Sequence, residues 1–380
     1  LKIALDAWVL GDRFRHQGSH VYAEHLFCEF RRMAKHATDL SFCLFATPDG
    51  GNNAEAVGAG PGFELRPARM LGHDRLWRLG GASLAAARAD ADLLFAPVPA
   101  LLPMGRMPVV CTVHDVTPLT SPSHSRAVVW QQRYFLRTAA RRSRRIITVS
   151  EFSKADLMKV LGLPEEKIAV VYNGVDTSVF PGQPASEEEQ RRVLNKIGIE
   201  KPYVFHHGTI QPRKNLLRLI QAYRLLQSRN RNLDLDLVLA GGLGWQYEEI
   251  VKVANAGGPG RVVLAGALED QEIALLLKGA SLVVIPSLYE GFCLPMVEAM
   301  ACGAPVIAAR TSCLPEISGG VLRYFDPLST EDMAACIEQV LESSEVRNGL
   351  IERGRQQAAG FDWRRCAQET LAVLLQAEHS

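Results

Sequence analysis

The sequence lacks the features that would tie it to a metal ribbon, a disulfide framework, a membrane span or a nucleic acid. Its eight cysteines are scattered and contain no CxxC pair, so neither a zinc ribbon nor a disulfide-stapled fold is indicated. The apolar settings of Cys43, Cys111 and Cys336 read as small core residues of a reduced, intracellular protein. No apolar run approaches the roughly 18 residues that a membrane-spanning helix needs. A formal net charge of +1 gives no reason to expect nucleic acid as a main partner. Internal repeats and low-complexity tracts are missing too. The opening "LKIALDAWVL" does not begin with Met, is too short and too acidic for a signal peptide, and reads as a first strand. The expectation is a soluble, cytoplasmic protein.

What is present is material for a core. The chain has 380 residues, 47 % of them hydrophobic and 22 % charged, and its length favours two domains. Short β-rich runs alternate with helical patterns, which predicts α/β architecture with parallel sheets covered by helices on both faces. In the first half strands are expected at 3–6, 41–46, 93–96, 109–114, 146–149 and 168–172. In the second half they are expected at 203–207, 235–240, 261–265, 282–286, 306–309 and 322–325. Between them lies "PGQPASEEEQRRVLNKIGIEKP", residues 181–202, polar and bounded by prolines, which reads as a linker holding a short helix. The expected organisation is therefore a first domain over 1–180 and a second over 203–362, both doubly wound and Rossmann-like. Two such sheets facing each other would bring their strand ends to one central cleft, where open α/β sheets bind ligands.

Residues 126–145 carry seven arginines. One reading is a solvated helix face; the other is a basic surface for anionic lipid, through peripheral membrane contact, or for an acidic substrate.

The chemistry concentrates around "YEGFCLPMVEAMACGAPV", residues 289–306, where Glu290 and Glu298 stand eight positions apart. The run "SLVVIPS" leads in as a strand, "YEGFCL" forms the turn, and Pro295 suits the first position of a helix running to about Cys302. Gly291 lets the backbone approach a ligand closely. The amides from Cys293 to Val297 then form a helix start suited to a phosphate. The two glutamates would repel that phosphate, but a carboxylate can accept two hydrogen bonds from a vicinal diol. Two acids flanking a phosphate site suggest two sugar rings, one on each side of a diphosphate, which is the shape of a nucleotide sugar. The alternative makes Glu290 a loop charge and Glu298 an acid answering the helix dipole.

A second cluster is "HHGTIQPRKNLLRLIQAY", residues 206–223. A strand ends in a turn at Gly208, Asn215 can cap the following helix, and Arg213 and Lys214 stand at its mouth. Cations at a helix start oppose the dipole, so this conflict favours a functional role, neutralising a departing diphosphate without a metal. In "CTVHDVTP", His114 and Asp115 lie at the end of a buried strand, on the expected ligand edge of the first domain. In "RHQGSHVYAEHL", Gly18 could let backbone amides meet a phosphate. The pairs Asp234/Asp236 and Asp90/Asp92 have D-x-D spacing but precede their strands, opposite the ligand edge, and read as polar strand starts. "GGLGW" lacks the third glycine of a dinucleotide fingerprint.

These motifs together resemble a known family. "EGFCLPMVEAMACGAPVIA", with "GTIQPRKN" upstream and "VSEFSKADL…VVYNGVD" in the first half, looks like the retaining glycosyltransferases of family 4, which have the GT-B fold. "LAGGLGW" and "SCLPE" strengthen the likeness, which is densest between His206 and Pro327. The resemblance implies that Glu298 binds the nucleotide ribose and Glu290 the hydroxyls of the donor sugar. Arg213 and Lys214 would hold the diphosphate, with Gly208 in the turn and the amides of Phe292, Cys293 and Leu294 helping. His114 would lie beside the transferred sugar, and Gly18 in a loop closing over the phosphate. A C-terminal helix within 363–380 would cross back onto the first domain.

Two departures stand out. Cys293 occupies a position where the family usually has glycine, and Ala267 replaces a common aromatic, which leaves base recognition open. Within the family the pattern looks most like mannosyltransferases of bacterial surface polysaccharide (O-antigen) assembly. That implies GDP-mannose as donor and a saccharide or lipid-linked saccharide as acceptor, while relatives with the same motifs use UDP-sugars. The expected reaction is a retaining, metal-independent hexosyl transfer with no cofactor, with the leaving phosphate taking the acceptor proton. The rival readings are a nucleotide-sugar epimerase, a glycan phosphorylase, and a non-catalytic sugar-nucleotide binding module.

Overall fold

The computed structural model describes residues 1–14, 17–46, 51–67, 76–99, 105–120, 126–183, 186–230 and 233–379. The chain forms two units, Leu1–Gly174 together with Trp363–Ser380, and Val175–Asp362.

The first unit is built on strands β1 (Lys2–Asp6), β2 (Ser41–Ala46), β3 (Phe63–Pro67), β4 (Leu93–Ala96), β5 (Val109–Thr112), β6 (Arg145–Thr148) and β7 (Ile168–Val170). They form a parallel sheet in the order β3-β2-β1-β4-β5-β6-β7. The second unit holds β8 (Tyr203–His207), β9 (Asp236–Ala240), β10 (Arg261–Gly266), β11 (Leu282–Ile285), β12 (Val306–Ala309) and β13 (Arg323–Phe325). Their order is β10-β9-β8-β11-β12-β13, again parallel. Central strands such as "VVCT" and "LVVI" are apolar and buried at every position because helices cover both sheet faces. Strand order reverses between β1 and β4 and between β8 and β11, and a crevice at the carboxyl ends of such strands is where doubly wound sheets take ligands.

Aromatic packing sets the first core. Phe30 stacks on Phe42 at 4.9 Å, Phe42 meets Phe63 at 5.9 Å, and Phe30 meets Phe95 edge-on at 6.3 Å. In the second unit the buried Tyr203 and Tyr223 donate to the Leu276 and Leu235 carbonyls, each at 2.7 Å. The Trp363–His379 helix belongs to the first unit, where Trp363 stacks on His25 at 4.9 Å.

Several expectations change. Strand β3 was not anticipated, and the 109–114 and 168–172 strands end early, at Thr112 and Val170. The 181–202 segment is no tether: its helix Glu187–Lys196 lies within the second unit, where Gln190 donates to the Leu275 carbonyl at 3.2 Å. Lys196 also pairs with Glu272 at 2.6 Å, and the unit boundary falls at Gly174.

Candidate active site

In the second unit the loops after β8, β11 and β12 are laced together by hydrogen bonds. Leu288 N donates to the Arg213 carbonyl at 2.9 Å, and Arg213 Nη1 donates back to the Tyr289 carbonyl at 2.6 Å. Glu290 N donates to Ser312 Oγ at 3.1 Å. Within this frame Glu290 receives Arg213 Nη1 on Oε2 and Lys214 Nζ on Oε1, both at 2.6 Å. Glu290 and Lys214 are almost fully buried, at 5 % and 6 % exposure. Burial alone would raise the Glu290 carboxyl, but Arg213 and Lys214 outweigh it and hold it at about 2. The acid and the two cations, read from sequence as agents with separate targets, form one ion triad carrying a net positive charge.

Gly208 forms the turn beside that triad. Its φ of +137° lies where side chains are strained, which favours glycine, whereas a Cβ would meet Lys214 Nζ only at an ordinary contact distance of 3.6 Å. His206 donates through Nδ1 to the Val284 carbonyl at 2.9 Å, which leaves Nε2 buried with no partner among the described residues. Burial, assisted by Lys214, pushes this imidazole down to about 4, so it is neutral. Asn215 was expected as a helix cap but adopts φ +57° and makes no side-chain cap bond. Its Nδ2 donates instead to the Pro327 carbonyl at 2.8 Å.

The helix Leu294–Cys302 starts where the sequence places it, with Pro295 in its first turn. Cys293 stands before it at φ +73° and ψ +67°, the left-handed conformation that explains why glycine is usual at this position. Phe292 is held edge-on against Phe361 at 5.4 Å. One turn into the helix, Glu298 lies 3.7 Å from His207 Nε2. That nitrogen donates to the Pro295 carbonyl at 3.2 Å, and burial pushes the His207 ring down to about 3. The contact is therefore no ion pair. Burial, with Asp270 adding repulsion, pushes the Glu298 carboxyl up to about 8, so it holds a proton at neutral pH.

The first unit presents different chemistry at its strand ends. His114 follows β5, donates through Nε2 to the Pro97 carbonyl at 3.0 Å, and meets the Tyr22 ring edge-on at 4.8 Å. Burial lowers its pKa, so Nδ1 is an acceptor at neutral pH. Asp115 caps the next turn by accepting from Thr117 N at 2.9 Å. Gly18, expected in a loop, is the first residue of the Gly18–Ala34 helix. Asp6, which the sequence reading passed over, ends β1. Its Oδ1 accepts from Trp77 Nε1 at 2.8 Å and Trp8 N at 3.1 Å, while Oδ2 is buried without a partner among the described residues.

The D-x-D pairs lie at the amino ends of β9 and β4. Asp234 pairs with Lys201 at 2.6 Å, Asp236 with Arg261 at 3.5 Å, and Asp92 accepts from Lys2 N at 2.8 Å. Among the described residues no group of three or more His, Cys, Asp or Glu could hold a metal ion.

Residues missed from sequence are Asp6, His206, His207 and Ser312. The adjacent histidines ending a strand directly before Gly208 were a usable signal. Ser312 opens the "SCLPE" motif, which gives no hint of its bond to the Glu290 amide, and Asp6 carried no signal.

Residues 17–179 match the family model described as Glycosyltransferase Family 4, and residues 186–357 match Glycosyl transferases group 1. The chain is 32 % identical over 265 residues to the O-antigen chain mannosyltransferase B of Escherichia coli, covering 69 % of this chain and 68 % of that one. It is 29 % identical over 330 residues to the MMP alpha-(1->4)-mannosyltransferase of Mycolicibacterium hassiacum, covering 82 % and 74 %. The crystal structure of Anabaena HepE in complex with UDP-glucose superposes with a TM-score of 0.74 at 20 % identity, covering 99 % of each chain.

Proposed function

Because the chain belongs to the group 1 glycosyltransferases and has their GT-B fold, we propose that it moves mannose from GDP-mannose, with retention and without a metal. The acceptor is a hydroxyl of a saccharide or lipid-linked saccharide destined for a surface polysaccharide. At the coarser level the chain is a transferase of a sugar from a nucleotide diphosphate sugar to an acceptor. Mannose is favoured by the two mannosyltransferases it resembles across most of its length.

The observation that carries the reading is the triad of Glu290, Arg213 and Lys214 at the carboxyl edge of β8 and β11. Breaking the bond between sugar and diphosphate leaves charge on the phosphate, and cations held in place beforehand stabilise it without reorganising. Glu290 fixes those cations, and its remaining lone pairs are available to hydroxyls of the donor sugar. A carboxylate held at about 2 by two cations is a poor nucleophile. That disfavours a covalent intermediate on Glu290 and supports a front-face displacement. The acceptor proton then passes to the departing phosphate. His114 Nδ1 would accept from a sugar hydroxyl, and the first turn of the Leu294–Cys302 helix would face the diphosphate.

A panel of GDP- and UDP-sugars read by thermal shift identifies the donor, and GDP-mannose is expected to stabilise most. Proton NMR of the first-formed product should show the donor's α configuration kept, with turnover unchanged by EDTA. A β product, or activity lost in EDTA and restored by manganese, would overturn the corresponding part of the reading.

A further inference from the structure

The Arg126–Arg142 helix has a well-packed inner face and an unusual outer one. Val129, Phe135, Leu136, Ala139 and Ala140 are buried. On the opposite side Trp130, Tyr134, Arg137 and Arg141 follow one another at spacings of four, three and four, a single stripe along the helix. Trp130 is 68 % exposed and Tyr134 46 %, with their rings stacked at 5.6 Å and 7°. Arg137, Arg141, Arg142 and Arg144 are exposed beyond them. No Asp or Glu occurs between Asp115 and Glu151.

A helix face turned only to water gains nothing from an exposed indole and phenol. Tryptophan and tyrosine beside arginine suit a boundary where ring bodies leave water while guanidinium groups meet phosphates. We propose that this stripe docks on the surface of an anionic phospholipid bilayer, with Trp130 and Tyr134 entering the headgroup layer and Arg137 and Arg141 pairing with lipid phosphates. Charge complementarity selects that occupant. A second copy of the chain would bring the same positive stripe against itself, and a neutral saccharide would need the rings but not the arginines. Among the described residues no helix is long and apolar enough to cross a membrane, so the contact is lateral. The proposal rests on the transferase reading only for its use, which is to meet an acceptor carried on lipid. Vesicle binding needs neither donor nor acceptor, so either idea can fail alone.

The test is co-sedimentation of the full chain with vesicles of phosphatidylcholine, and with an equal mixture of phosphatidylcholine and phosphatidylglycerol. The chain should sediment with the mixed vesicles at low salt, be released by high salt, and ignore phosphatidylcholine alone. Arg137→Gln with Arg141→Gln should lower the partition coefficient about thirtyfold, the effect of removing two basic residues near an anionic surface. Brominated lipid should quench tryptophan emission in the wild type, and much less in Trp130→Phe, which still sediments. That second readout keeps the test decisive if the arginine variant folds poorly. Equal binding to both vesicle types, binding to neither, or indifference to the arginine pair would overturn the proposal. Vesicle-independent self-association abolished by Trp130→Ser would overturn it in favour of an interface between copies.

Discussion

Asp6 in the first unit and Glu290 in the second are carboxylates buried close to the carboxyl edge of their sheets, and the two are treated in opposite ways. Glu290 is 5 % exposed, answered by two cations, and held at about 2. Asp6 is 1 % exposed, answered on one oxygen by two N–H donors, and pushed by burial up to about 6. The second unit holds its buried charge in a fixed geometry, which suits the diphosphate we propose it receives. The first unit carries aromatic groups around its carboxylate there: Trp77 and Trp8 on Asp6, and Tyr22 against His114, with Asp115 next in sequence.

The sharpest way to break this contrast is to strip the triad. Arg213→Ala with Lys214→Ala should lower kcat by at least about two decades, by analogy with removal of an oxyanion donor. It should also destabilise the fold by about 3–5 kcal/mol, because Glu290 is left buried and unpaired. Adding Glu290→Gln should restore much of the stability and none of the rate. Thermal melts and single-turnover kinetics on the double and triple variants separate these outcomes. If the triple variant recovered turnover, the cations would not be serving the leaving group.

A smaller effect is expected at Glu298. Glu298→Ala should weaken GDP binding by about 1.5–3 kcal/mol, as for a hydrogen bond to a charged group, with free GDP affected as much as GDP-mannose. The pH dependence carries the sign. Glu298 is raised to about 8 in the free protein, so accepting two hydrogen bonds from a diol requires it to lose a proton first. Wild-type affinity should therefore rise toward pH 8, by up to about tenfold per unit, relative to Glu298→Gln titrated in parallel. Parallel curves from calorimetry would show that the carboxyl stays protonated in the complex.

What could be read from sequence divides along the same line. Buried strands announce themselves by apolar runs, which is why most strands were placed within two residues of their observed ends. Strand β3, "FELRP", failed because it pairs only with β2 at the sheet edge, is largely half-exposed, and ends in proline. The linker reading failed because a polar helix with three leading glutamates looks solvated, although Val193 anchors it. At the site the residue types were legible and their partnerships were not. Glu290 and Lys214 are 76 positions apart, and only the pairing of β8 with β11 brings their loops together. The pKa of Glu298 likewise depends on burial and on Asp270, neither of which spacing reveals.

Asp6 offers an intermediate test on the first unit. Its folded-state pKa is raised from 3.8 to about 6, so ionising it costs stability, a penalty absent below the unfolded value and complete above the folded one. Asp6→Asn should therefore stabilise the protein by up to about 3 kcal/mol at pH 8, with the gain vanishing near pH 4. Glu290→Gln should show the reverse pattern. Its wild-type carboxylate contributes stability above 4.5 that is lost as the pH falls toward 2. Chemical denaturation at several pH values compares the two directly, and a gain from Asp6→Asn that persisted at pH 4 would show that charge is not its cause.

The smallest expected effect concerns the backbone of the turn that leads into the Leu294–Cys302 helix. Cys293 holds φ +73° with its side chain buried, so simple removal of the side chain mixes lost packing with relieved strain. Comparing Cys293→Ala with Cys293→Gly removes the packing term, because both variants lose the thiol. Glycine should then be the more stable of the two by about 1 kcal/mol, since a Cβ in the left-handed region costs that much or more. Six residues on, inside the same helix, the order should invert. Ala299→Gly should destabilise by about 1 kcal/mol, the ordinary cost of glycine in a helix interior. Because the turn is proposed to use only the backbone amide at 293, Cys293→Gly should keep wild-type affinity for GDP. If Cys293→Ala proved the more stable variant, the left-handed geometry of this turn would be wrong, and the approach of its amides to a diphosphate with it.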